Sequence, residues 1–136
     1  MPKEMEVLLK KIYNNKKVLI TGHTGFKGSW LSIWLRELGA DIIGYALDPS
    51  SENDNFVRTG LANKITDIRG DIRDFDHLER IFCTYSPDFV FHLAAQPLVR
   101  ESYKDPKETF DVNIGGTVNV LENSRRSDSV KITLYR

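Results

Sequence analysis

The sequence predicts an α/β fold in which a parallel sheet is covered by helices on both faces, a doubly wound arrangement. Short apolar segments alternate along the chain with longer segments whose apolar residues repeat at helical spacing. The first short segment, residues 17–22, is almost continuously apolar, which is typical of a strand buried on both faces. Alternation of this kind indicates βαβ units and a parallel sheet.

Three glycines follow the first predicted strand, and a predicted helix begins among them. They are Gly22, Gly25 and Gly28. In a dinucleotide-binding turn such glycines allow a tight strand exit, a close approach to a pyrophosphate and close helix packing. The unpaired amides at the helix start attract the anion. The motif therefore predicts a Rossmann-type doubly wound parallel sheet, incomplete, with about five strands in the order 3-2-1-4-5.

A different phosphate-binding loop, that of the nucleoside triphosphatases, is excluded by residue order. Its pattern requires a lysine directly after the last glycine. Here Lys27 precedes Gly28 and Ser29 follows it, so no lysine stands in the required place.

Composition excludes several other classes of protein. The 136 residues include 19 basic and 19 acidic residues, and this balance argues against a nucleic-acid partner. The single cysteine, Cys83, excludes an intramolecular disulfide and is expected to be a packed helix residue. No apolar run approaches the roughly 18 residues of a membrane span, and no signal-peptide pattern is present. We therefore expect no membrane partner and a cytoplasmic location.

The first half of the chain is divided as follows. Residues 1–16 predict a leader helix or a mobile arm, and residues 17–136 predict the partial dinucleotide-binding domain. Further strands are predicted at 41–47 and 64–68, and the polar connection 49–63 predicts a weak helix. The first long helix, 25–38, is expected to end at Gly39. Three aromatic residues and three leucines are expected to form its core face: Phe26, Trp30, Trp34, Leu31, Leu35 and Leu38.

The second half continues the alternation. Asp74 is predicted to cap a helix with apolar residues at 78, 81, 82 and 85, and a fourth strand is predicted at 88–95. Residues 96–104 are predicted to form a loop. A helix over 105–124 begins with Asp105 at the N-cap, a proline at the first position and Glu108 at the third. A fifth strand is predicted to begin near Val130.

Two acids follow the second and third strands and predict contacts with the adenosine half of a dinucleotide. Asp48 lies 20 residues beyond Gly28, where this fold places an acid on the adenosine ribose; the alternative is a turn residue before Pro49. No arginine stands at 46–48 to hold a 2′-phosphate, which favours NAD over NADP. Asp71 is expected to accept a hydrogen bond from the adenine amine.

The end of the fourth strand is predicted to lie near the nicotinamide. Its small residues suit a backbone that passes beneath the ribose and nicotinamide. His92, within the strand pattern, is expected to be a core histidine with satisfied hydrogen bonds. Gln96, Arg100 and Tyr103 supply polar groups at the mouth of the crevice, and Asn113 is predicted to be either exposed or a cofactor contact.

Five segments carry a resemblance to a known family. They are TGHTGFKG at 21–28, WLSIWL at 30–35, GDIRD at 70–74, HLAAQPLVR at 92–100 and NIGGT at 113–117. Together they resemble the extended short-chain dehydrogenases/reductases, and among these the CDP-glucose 4,6-dehydratases. His23 and Lys27, with the loop at 96–100, point to that member. The likeness covers about 17–130 and implies the amino-terminal part of such an enzyme.

The resemblance implies a bound NAD that takes hydride from C4 of CDP-D-glucose and returns it to C6 after loss of water across C5–C6. The 4-keto-6-deoxy product belongs to the synthesis of surface polysaccharides such as lipopolysaccharide. The family's Tyr-x-x-x-Lys pair is not found in 1–136, so no catalytic residue is assigned, and no metal ligand is assigned. The helix 105–124 is expected at a subunit interface of a homo-oligomer.

The predicted site consists of a cofactor-binding set and a substrate-side pair. The cofactor-binding set is Gly22, Thr24, Gly25, Phe26, Lys27, Gly28, Asp48, Asp71, Ile72, Leu93, Ala94, Ala95 and Asn113, and the substrate-side pair is Gln96 and Arg100. Two alternatives remain at this point. The chain is a non-catalytic dinucleotide-binding module, or it is a relative of the GDP-mannose dehydratases and sugar-nucleotide epimerases.

Overall fold

The computed structural model describes residues 1–136 and contains one sheet of five parallel strands. The strands are β1 (Lys17–Thr21), β2 (Asp41–Ala46), β3 (Thr66–Arg69), β4 (Phe89–His92) and β5 (Ile132–Tyr135). Their order is β3-β2-β1-β4-β5, and every neighbouring pair is parallel. The predicted fold class and strand order are confirmed. The chain reverses its direction of winding between β1 and β4, so a crevice opens where these two strands end.

Seven α-helices connect and flank the strands. They are α1 (Lys3–Tyr13), α2 (Phe26–Glu37), α3 (Asn55–Arg58), α4 (Phe75–Tyr85), α5 (Val99–Lys104), α6 (Pro106–Phe110) and α7 (Gly116–Arg126). A 3₁₀ turn, Leu61–Asn63, follows α3, and a π-helical segment, Asp111–Gly115, joins α6 to α7. No helix is both long enough and apolar enough to cross a membrane.

The sheet is buried on both faces, as its apolar strands require. On one face, Leu19, Ile43 and Val90 pack with buried residues of α4 and α7. On the other, Val18 and Ile20 pack with buried residues of α2, and α1 adds Leu9 and Tyr13, the latter in edge-to-face contact with Phe89. Alternate residues of β1 thus supply the two cores, because successive side chains of a strand point to opposite faces.

The prediction that the aromatic residues of α2 face the core is wrong. Trp30 and Trp34 are 52% and 44% exposed, and Phe26 is more exposed still. The buried side of the helix consists instead of small residues and leucines: Gly28, Ser29, Ser32, Leu35 and Leu38. Small residues allow the helix axis to lie close to β1 and the turn after it, and this close approach turns the bulky aromatic side chains outward.

Several details of the second half also differ from expectation. Cys83 lies on α4 but is exposed, so it is not a packed residue. The loop predicted at 96–104 contains α5, and β4 ends at His92 instead of residue 95. The continuous helix predicted from residue 105 is interrupted by the π-helical segment at two consecutive glycines. Both predicted caps are confirmed, because Asp74 accepts from the His77 amide and Asp105 accepts from the Glu108 amide.

Candidate functional site

The turn between β1 and α2 closes tightly on itself and requires glycine at two of its three motif positions. Gly22 has φ +78°, and a Cβ there would lie 2.8 Å from the backbone of Leu93 and Ala94. A Cβ on Gly28 would lie 2.1 Å from the Gly22 carbonyl oxygen. Gly25 differs, because its Cβ would meet only that same oxygen, at 3.3 Å. The first and third glycines therefore build the turn, whereas the second leaves its outer side open.

The start of α2 offers backbone donors with no acceptor in the protein. Gly25 is the N-cap and makes no side-chain capping hydrogen bond. The amides of Phe26, Lys27 and Gly28 donate to no backbone or side-chain acceptor. Unpaired amides at a helix start combine with the helix dipole to attract an anion. This arrangement suits a pyrophosphate, so the residues present fit the predicted dinucleotide.

An open cleft of about 550 Å³ lies between this turn and the loop after β2. Its lining includes Thr24, Gly25, Phe26, Asp48 and Arg58. The Thr24 hydroxyl donates to the Leu47 carbonyl oxygen at 2.9 Å and so ties the glycine turn to the end of β2. The structure thus brings Asp48 to the same cleft as the glycine turn, as the sequence predicts for an acid at the adenosine ribose.

Asp48 is not a free acid, and the group that pairs with it was missed by sequence analysis. Its carboxylate accepts from Nη1 of Arg69 at 2.6 Å. Nε and Nη2 of Arg69 donate to the two carboxylate oxygens of Asp67, each at 3.0 Å. No arginine stands at 46–48, but the neighbouring strand β3 supplies one that reaches Asp48. The spacing of Asp67 and Arg69, which places both on one face of a strand, was the signal available.

A buried, neutral histidine completes this row of hydrogen-bonded side chains. His23, wholly buried beneath the turn, lies 2.6 Å from Asp67 through Nε2. Burial lowers the pKa of His23, so the ring is neutral and donates to the carboxylate. Burial of Asp67 opposes its ionisation, but hydrogen bonds from Arg69 and His23 outweigh this and lower its pKa. Nδ1 of His23 is buried without a partner.

The predicted adenine acceptor is engaged by its own neighbour. The Asp71 carboxylate accepts from Nε and Nη2 of Arg73 and from the Arg73 amide. These hydrogen bonds lower the pKa of Asp71, although partial burial opposes them. The Tyr45 hydroxyl donates to the Asp71 carbonyl oxygen at 2.7 Å, while Ile72 is buried. Asp71 is therefore held as a carboxylate, although its hydrogen-bonding capacity is largely used within the protein.

Thr21 and His92 join the ends of β1 and β4. Thr21 Oγ1 accepts from the amides of Leu93 and Ala94, so its own proton is directed to His92 Nδ1, 2.6 Å away. His92 Nε2 then donates to Thr117 Oγ1 at 3.1 Å. Burial lowers the pKa of His92 to about 4, in agreement with this neutral ring. The prediction of a satisfied core histidine is confirmed.

The loop after β4 is closed by its own hydrogen bonds. Asn113 accepts from the Gln96 amide at 2.7 Å and donates to the Gln96 carbonyl oxygen at 3.2 Å. The Gln96 side chain bonds to Leu98 backbone atoms and to Thr109. Arg100 and Ala95 are exposed, and the Arg100 side chain makes no hydrogen bond. Gln96, predicted at the crevice mouth, and Asn113, predicted to be exposed or a cofactor contact, are thus brought together to shape the loop.

The sheet order, the glycine turn at the reversal of winding and the open helix amides define a dinucleotide-binding domain of the short-chain dehydrogenase/reductase type. Residues 19–136 match the family described as GDP-mannose 4,6 dehydratase, and the chain belongs to that family. The chain therefore belongs to a family of sugar-nucleotide dehydratases and epimerases that share this cofactor-binding fold.

Individual relatives support the same assignment. Over 122 residues, 90% of this chain, the sequence is 47% identical to the CDP-glucose 4,6-dehydratase of Salmonella typhimurium. An epimerase structure from Methanothermobacter thermautotrophicus matches with a TM-score of 0.80 and 31% identity, over 99% of this chain and 39% of that one. The UDP-glucose 4-epimerase of Thermus thermophilus, solved as an NAD complex, matches with a TM-score of 0.69 and 34% identity. This match covers 81% of this chain and 34% of that one. NAD as the cofactor of the family is confirmed.

The matched relatives are longer than this chain. The chain spans 34% of the Salmonella dehydratase and of the Thermus epimerase.

Proposed function

We propose that the chain is the NAD-binding part of a sugar-nucleotide 4,6-dehydratase that converts CDP-D-glucose to CDP-4-keto-6-deoxy-D-glucose. The geometry that supports this most directly is the glycine turn, which borders an open cleft and leaves three amides at the start of α2 without an acceptor. The sugar nucleotide is inferred from the 47% identity to the Salmonella typhimurium enzyme. The motif at 21–28 supports the same choice.

The residues of this chain hold the cofactor in the proposed complex. The amides of Phe26, Lys27 and Gly28 bind the pyrophosphate, and the exposed Asp48 carboxylate accepts from the adenosine ribose hydroxyls. The bend after β4, fixed by the Thr21 hydroxyl, brings the backbone of Ala94 close beside Gly22. The cofactor held by these residues would supply a reversible hydride acceptor, for hydride taken from C4 of the sugar and given back at C6 after loss of water across C5–C6.

Selective binding of NAD tests this proposal. Calorimetric titration should give tighter binding of NAD than of NADP. Gly25→Val should weaken NAD binding by at least about tenfold, because the new side chain enters the space of the pyrophosphate. The fold should survive this change, since a Cβ at Gly25 meets only one atom, at 3.3 Å. Circular dichroism of the variant provides that control. Tighter binding of NADP, or unchanged NAD binding by the valine variant, would refute the proposal.

We further propose that the parent protein associates through the helical segment from α6 to α7. Four large apolar side chains on this segment are exposed at helical spacing: Phe110, Ile114, Val118 and Leu121. Monomers seldom expose contiguous apolar patches larger than a few hundred Å². The resemblance to the dehydratases implies that a subunit interface covers this face.

Self-association of the 136-residue chain is the expected consequence. Light scattering should show species larger than a monomer at high concentration, and a variant with Ile114→Glu and Val118→Glu should scatter as a monomer. The glutamates keep helix propensity while charging the face. A wild-type chain that stays monomeric at high concentration would contradict this proposal.

A further inference from the structure

The position of Arg69, the cation that pairs with Asp48, bears on the choice between NAD and NADP. Arg69 Nη1 lies 2.6 Å from the carboxylate of Asp48, and Asp48 itself lines the cleft next to the glycine turn. The Asp48 side chain is 84% exposed, and that of Arg69 is 34% exposed. In this fold an acid at this position favours NAD, and an arginine nearby accommodates the 2′-phosphate of NADP. Both groups are present here, and the acid occupies the arginine.

Arg69 does not depend on Asp48 for its position. Its guanidinium forms a two-bond fork with Asp67, each bond 3.0 Å long, and Asp67 is held in turn by His23 at 2.6 Å. The guanidinium carbon also lies 5.1 Å from the centre of the Phe56 ring, a stacking contact on the second side. Two neighbours other than Asp48, namely Asp67 and Phe56, therefore fix the plane of the guanidinium, and His23 supports Asp67. Removal of the Asp48 carboxylate leaves that plane in place.

The donors that removal of Asp48 would free are those that a phosphate uses. A guanidinium has five N–H donors, of which the fork to Asp67 takes one from Nε and one from Nη2. Asp48 takes a donor from Nη1. Without Asp48, the Nη1 donors and the second Nη2 donor are available together, and adjacent donors of this kind bind phosphate oxygens in pairs.

Removal of Asp48 also changes the net charge around Arg69 in favour of a 2′-phosphate. At present Arg69 stands between two carboxylates, so the group is net negative and repels a 2′-phosphate. Without Asp48 it is neutral, and the side chain of Arg58 adds a positive charge to the lining of the same cleft. Asp54 also lines the cleft, but its carboxylate accepts from the amides of Ser50 and Ser51.

We propose that Asp48 alone excludes NADP from this protein, by occupying Arg69, and that Arg69 is a preformed binding site for a 2′-phosphate. This inference rests on the proposed function, because it assumes that the adenosine half of the cofactor lies in this cleft. A single ion pair, Asp48 with Arg69, thus selects against NADP. The phosphate-binding position of Arg69 is already fixed by Asp67, His23 and Phe56.

The test compares two probes that differ only in the 2′-phosphate, adenosine 5′-monophosphate and adenosine 2′,5′-bisphosphate. Each is titrated by calorimetry into the wild-type chain, Asp48→Ala, Asp48→Ala with Arg69→Met, and Asp48→Ala with Arg58→Met. In Asp48→Ala the affinity for the bisphosphate relative to the monophosphate should rise at least about tenfold. The gain should be lost with Arg69→Met and largely kept with Arg58→Met.

Separate outcomes identify what has failed. An unchanged ratio in Asp48→Ala, or a gain that survives Arg69→Met, overturns the inference. Because Asp48 is exposed, Asp48→Ala should fold. Its binding ratio tests the inference even if the double variant with Arg69→Met does not fold. Asp48→Ala with Arg69→Lys, which keeps the charge without the paired donors, should retain only part of the gain. Wild-type protein that binds NAD but shows no change in Asp48→Ala refutes this inference alone. Wild-type protein that binds neither NAD nor the monophosphate refutes the proposed function with it.

Discussion

We expect the 136-residue chain to form no 4-keto product from CDP-glucose and NAD above a protein-free control. Removal of hydride from C4 requires a group that takes the hydroxyl proton, and a positioned general base contributes roughly 10²–10⁴-fold in rate. His92 is buried, both of its ring nitrogens are hydrogen-bonded, and its pKa is lowered to about 4. Tyr103 is 85% exposed, and its hydroxyl makes no hydrogen bond. Neither side chain is held in place as a general base in this structure.

The assay follows the 4-keto sugar nucleotide over time, with the CDP-glucose 4,6-dehydratase of Salmonella typhimurium as positive control. Turnover by the wild-type chain that disappears in Tyr103→Phe or His92→Leu would show that the base had been misassigned.

Gly28→Ala should destabilise the protein by about 3 kcal/mol, the upper part of the usual range for overpacking. The added Cβ would lie 2.1 Å from the Gly22 carbonyl oxygen and 2.7 Å from its carbon, which are backbone atoms of the same tight turn. Relief of this overlap requires α2 to move away from β1, where Leu35 and Leu38 pack. Urea unfolding followed by circular dichroism measures the change.

The chain offers a matched control for this substitution at Gly115. This glycine has φ −60° and ψ −43°, and a Cβ there meets nothing within 4 Å. Gly115→Ala should therefore stabilise the protein by roughly 0.5–1 kcal/mol, because alanine loses less conformational freedom on folding. Equal effects of the two substitutions would contradict the view that Gly28 is required for close approach.

Local patterns predicted much of the architecture. The continuous apolar run of β1, the glycines after it and the caps at Asp74 and Asp105 are signals within a few residues, and the structure has each of them. The face of α2 could not be obtained in the same way, since apolar residues occur on both sides of that helix. Which side is buried depends on how closely Gly28 lets the helix approach, and this is a property of the packed structure.

The ion pairs around the cleft depend on strand register, which the sequence does not show locally. Parallel pairing places Arg69 opposite Ala46 and Asp67 opposite Gly44. A Cβ at Gly44 would lie 2.4 Å from the His23 ring, so this glycine makes the space in which His23 meets Asp67. The row from His23 to Asp48 thus joins residues from the turn, β3 and the loop after β2. The spacing of Asp67 and Arg69 indicates only the pair within β3, and the contacts of that pair with His23 and Asp48 follow from the packed structure.

Nuclear magnetic resonance of the ¹⁵N-labelled chain during titration with NAD shows directly whether the glycine turn binds the pyrophosphate. We expect the amide signals of Phe26, Lys27 and Gly28 to shift most, because these donors are unpaired in the protein. Adenosine 5′-monophosphate alone should shift Asp48, and nicotinamide mononucleotide alone should shift Ala94. If the glycine-turn amides do not move, and the shifts cluster instead in the groove between α1 and the end of α2 around Lys10 and Gly39, the account is wrong.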